Sequence, residues 1–81
     1  MSSHLINIAD VITREQLAVQ AWKEADAQAR EAELRLKAAW DRYEARRDAP
    51  PSEELMVEVA RLRRLANEKL GVAMTLMSRK A

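Results

Sequence analysis

The sequence predicts an all-α protein: an antiparallel, coiled-coil-like helical hairpin that dimerises into a four-helix bundle. Three observations carry that fold class. Between Ala18 and Tyr43 the apolar residues Ala18, Trp22, Ala25, Ala29, Ala32, Leu36, Ala39 and Tyr43 alternate steps of four and three, an unbroken heptad stripe. A single clear break follows at Asp48-Ala49-Pro50-Pro51-Ser52, where neither proline supplies a backbone donor and Pro51 biases Pro50 away from the helical region. Beyond it a second amphipathic stretch carries Leu55, Met56, Val59, Leu62, Leu65, Ala66, Leu70, Val72, Ala73, Leu76 and Met77. These fill the a, d, e and g positions, a face too wide for one neighbouring helix to cover.

Residues 1–12 form an apolar N-terminal arm or short helix. Leu5, Ile8 and Ile12 keep helical spacing, and Ile6 and Val11 add to the apolar surface. A free polar tail rarely carries so much. Leu5, Ile8, Val11 and Ile12 are therefore candidates for a protein interface, whether the segment folds back, extends the first helix or docks on a partner.

The first helix is expected over residues 13–47. Thr13 and Gln16 have the spacing of a capping box, with Ile12 and Leu17 as its hydrophobic staple. Opposite charges four apart (Asp26 with Arg30, Glu31 with Arg35, Glu33 with Lys37) mark a solvated outer face. Arg46 and Arg47 place cations at the C-terminal end, where the helix dipole favours them. The turn takes residues 48–51.

The second helix is expected over residues 52–79, opened by Ser52 as N-cap with Glu53 and Glu54 in the first turn. A short connection makes the helices antiparallel neighbours. Folding them about Ala49 and Pro50 opposes Tyr43 to Leu55, Ala39 to Val59, Leu36 to Leu62, Ala32 to Ala66, Ala29 to Lys69, Ala25 to Ala73 and Trp22 to Leu76. The alanine layers predict a close approach of the helix axes, near ~8 Å. Lys69 is the polar exception; its stem can lie on apolar surface while the amine reaches Asp26 or Glu33. Gly71, in the helix interior, marks fraying, a close helix approach, or nothing structural.

The arrangement of helix, proline-containing turn at Asp48–Ser52 and helix resembles small bacterial hairpins, among them needle subunits and small helper chaperones of type III secretion. The resemblance covers residues 20–79. It implies a helical hairpin that works as a helper or subunit of such an assembly.

Composition excludes most chemistry. The 81-residue chain has no cysteine, one histidine (His4) and one glycine. That leaves no disulfide, no zinc-ligand spacing, no Ser-His-acid set and no glycine-rich phosphate loop. Neither an enzyme nor a cofactor, metal or small-molecule substrate is expected. No run approaches the ~20 apolar residues of a membrane span, and Met1–Asp10 lacks the features of a secretory signal, so the cytoplasm is the expected compartment. The expected function is a protein–protein interaction module, an adaptor, regulator or inhibitor. Its partner is a second copy or another protein, reached through the N-terminal segment or the flank around Leu65, Val72 and Met74. Nucleic acid is the alternative partner, on a face made of Arg35, Arg42, Arg61, Arg63 and Arg64. The net charge of +1 and the interleaved Glu31, Glu33, Glu58 and Glu68 weigh against it. Trp22, Trp40 and Tyr43 are expected to fill the bundle interior and its ends, as are Met56 and Met77. Met74 is expected to be exposed.

Overall fold

A computed structural model describes residues 13–79, and all regular structure in that span is helical. Helix α1 runs Arg14–Glu44 and helix α2 runs Glu53–Ser78, and the two pack against each other as a hairpin. The apolar segment 1–12, with Leu5, Ile8, Val11 and Ile12, lies outside the described residues. No described helix is long and apolar enough to cross a membrane.

Thr13 caps α1 from an extended conformation. The Gln16 N–H donates to Thr13 Oγ1 at 3.1 Å, and the Thr13 N–H donates to Gln16 Oε1 at 2.9 Å. Both arms of the capping box are thus closed, and two of the orphan donors at the helix start are satisfied.

The far end of α1 departs from expectation. Regular helix stops at Glu44 rather than Arg47. Arg46 turns left-handed, with φ 59°. Its N–H donates to the Tyr43 carbonyl at 2.9 Å, and the Arg47 N–H reaches back to the Arg42 carbonyl at 3.0 Å. Those two bonds are a Schellman motif, which satisfies carbonyls the last turn leaves open and redirects the chain toward Pro50 and Pro51. An arginine fills the place usually taken by glycine. Arg42 Nε then ties the turn at 3.1 Å to Asp48 Oδ2. At the start of α2, the Leu55 N–H donates to Ser52 Oγ at 3.1 Å.

The seam is lined by small residues. Six of the eight buried hydrophobics among the described residues are alanines: Ala25, Ala29, Ala32, Ala39, Ala66 and Ala73, joined by Val59 and Leu62. Leu36, Leu55 and Leu65 pack at the edge of this cluster. No large side chain among the described residues is fully enclosed. Trp40, Tyr43, Met56 and Met77, expected to fill the bundle and its ends, are exposed on a single hairpin, and Met74 is exposed as expected; Trp22 is half-buried. Gly71 faces open space: a Cβ built there meets nothing within 4 Å, so no close helix approach depends on it.

Candidate functional site

The best-ordered chemistry on the hairpin is an ion cluster between the helices. Arg63 of α2 grips Glu33 of α1 with a two-toothed fork, Nε to Oε2 at 2.9 Å and a terminal nitrogen to Oε1 at 2.8 Å. Its other terminal nitrogen donates to Asp26 Oδ1 at 2.8 Å. Asp26 in turn accepts from Arg30 Nε at 2.8 Å. The planar guanidinium suits this geometry; the compact amine of lysine could not supply it. Two cations and two carboxylates make the cluster neutral. The bond from Arg63 holds the Asp26 carboxyl below the ordinary carboxylate range against the opposing effect of burial, and the charge of Arg30 adds to it. Glu33 is lowered by the same arginine. Arg63 is itself raised by its bonds to Glu33 and then Asp26.

This cluster rearranges two expected contacts. Glu33, expected to pair with Lys37, is taken by Arg63, and Lys37 turns to Asp41 at 3.1 Å. Lys69 is exposed, and both of its expected acceptors bond Arg63. Asp26 and Glu33 stand seven apart, two turns on the same stripe, and this spacing was the available sequence signal for the clamp.

Four of the five arginines considered for nucleic acid are engaged with carboxylates. Arg35 meets Glu31 at 3.6 Å, Arg42 meets Asp48, Arg61 meets Glu58, and Arg63 is held in the clamp. Arg64 is exposed. The candidate apolar residues divide between two flanks. Leu65, packed against the core cluster, and Val72 are seven apart and share one flank of α2, while Met74, two residues beyond Val72, points roughly 200° round the helix from it. Leu17, Leu34 and Val57 are further exposed apolar residues that fall outside the heptad stripes. Leu34 is the most exposed of these three, at 67%.

Among the described residues no group of His, Cys, Asp and Glu is placed to hold a metal. No protein-family model, curated protein or solved structure matches the chain.

Proposed function

We propose that this chain is a small, non-enzymatic protein–protein interaction module that works through the apolar faces of its hairpin. In this reading two hairpins associate as a four-helix bundle, and residues 1–12 supply a further apolar arm. One observation carries it. Only alanines are fully enclosed within the described hairpin, while Leu17, Leu34, Trp40, Tyr43, Met56, Val57, Val72, Met74 and Met77 stay exposed. Side chains of that size dominate the energy of cores and interfaces. A helix pair that leaves them in water has its main apolar surface still to bury.

A nucleic-acid surface has less support, because it would need cations that carboxylates already hold.

Affinity capture with the full chain at graded salt tests the function. A protein partner retained at high salt is the expected result, since apolar contacts change little with ionic strength. Nucleic acid recovered at physiological salt, released steeply as salt rises and lost in an Arg61→Ala, Arg64→Ala double variant, would overturn it. Arg63 is left intact in that variant because it ties the helices together.

A further inference from the structure

The exposed surface has an internal order that identifies what covers it. Val19, Asp26, Glu33 and Trp40 are spaced by seven on α1, and Met56, Arg63, Leu70 and Met77 are spaced by seven on α2. Each set is one stripe along its helix. The bonds from Arg63 to Asp26 and Glu33 show that the two stripes border the same face of the hairpin. At the open end, Met77 lines one shallow groove with Val19 and Lys23 on that face. The face therefore has a charged, neutralised centre with apolar side chains on either side: Trp40 and Met56 toward the turn, the clamp in the middle, and Val19, Leu70 and Met77 toward the open end, where Glu15, Gln16, Gln20 and Lys23 border them.

We propose, building on the interaction-module reading, that a second copy of this chain covers this face, with the two-fold axis parallel to the helices and both turns at the same end. Charge decides the orientation. An axis across the helices would stack α1 on the partner's α1, setting Asp26 and Glu33, of which Arg30 offsets one charge, against the same net-negative group, and Arg63 against its own copy. An axis along the helices stacks α1 on the partner's α2. Each pair of carboxylates then meets the partner's Arg63, and Trp40 meets the partner's Met56, a favourable sulfur–aromatic pairing.

The valence is available. A guanidinium has five N–H donors, and Arg63 makes three bonds within its own chain. Two remain, and its side chain is 33% exposed. The area suffices as well. Along the 26 residues of α2 the face is about 39 Å long and about 18 Å wide, or about 700 Å² per protomer. A standard interface buries about 800 Å² per partner. The opposite flank, with Leu65 and Val72, also carries Glu58, Lys69, Arg35 and Arg42, but among the described residues no ion pair there joins the two helices: Glu58 bonds Arg61, Arg35 meets Glu31 and Arg42 meets Asp48.

The chain has no cysteine, so a spin label on Ala49→Cys, in the exposed turn, reads the arrangement directly. Sedimentation equilibrium at micromolar concentration establishes the dimer, and pulsed dipolar spectroscopy measures the label separation. Turns at one end place the labels within about 30 Å; turns at opposite ends place them beyond about 40 Å, the length of α2. The expected result is a dimer with the short separation. Trp40→Ala weakens it at least tenfold with helicity unchanged, and Gln28→Ala, exposed on α1 away from this face, leaves it as it was. A dimer with the long separation, or one weakened equally by both substitutions, overturns the proposal. So does a monomer. A monomer that still captures a protein partner removes only the second copy and leaves the interaction module standing, whereas one that captures none removes both.

Discussion

Arg46 and Gly71 exchange the roles that helix chemistry would give them. Arg46 holds the left-handed position of the Schellman motif, where a side chain with a Cβ costs about 1 kcal/mol relative to glycine. Gly71 sits in the interior of α2 with open space around its Cα, where it weakens the helix by roughly 0.5–1 kcal/mol relative to alanine. Arg46→Gly and Gly71→Ala are each expected to stabilise the protein by about 0.5–1 kcal/mol, measured as raised urea midpoints at fixed protein concentration. No loss of contact offsets the second substitution, since a new methyl meets only solvent. The sequence displayed the glycine but not its surroundings. It hid the Arg46 turn altogether, because arginine is a good helix former and a cation at a helix C-terminus is unremarkable. The helix ends at Glu44, several residues before the two prolines, so the visible break in the sequence marks the turn without marking where the backbone bends.

At the level of the helices, the seam and the clamp make different demands. Ala32 and Ala66 are wholly buried, so the helices meet backbone to backbone there. Ala32→Leu forces them apart and is expected to cost about 1–3 kcal/mol, read from the same urea midpoints. The clamp responds to acid. Asp26 and Glu33 titrate below their ordinary values in the folded hairpin, so the unfolded chain takes up protons first as pH falls. Their contribution is complete above the ordinary carboxylate range, near ~4, and is lost as pH drops through the lowered folded values. Midpoints measured between about pH 6 and about pH 2 should therefore fall on the acid side, and Arg63→Met should flatten that slope. Helix existence, the Thr13 and Ser52 caps and the alanine stripe were legible because each is a local pattern. The clamp was not. Its members stand 30 and 37 positions apart, and the heptad arithmetic that aligned apolar layers says nothing of which long side chain wins a shared acceptor. Arg63 wins Glu33 through its fork, and Lys37 donates instead to the next carboxylate along, Asp41.

For the molecule as a whole, the described hairpin encloses a seam made mostly of alanines, with Val59 and Leu62. Small helical chains without staples depend on well-packed helices or on association, and mass action makes association visible. The midpoint of thermal unfolding is expected to rise with protein concentration between about 1 and about 100 μM; a melt independent of concentration would mean that a lone hairpin suffices. The wide apolar face of α2 was legible from composition and spacing, but the ion pairs along its flanks were not, because they depend on which long side chains meet across the hairpin. The tight turn has a further consequence, for the order of folding. Contacts next to residues 45–52 close short loops, and those at the open end close loops of about sixty residues, with loop entropy rising along the way. The chain is thus built to zip from Arg42 and Asp48 outward. Arg63 then acts as a latch halfway along, fastening the closed half while the open end remains the first part to part again.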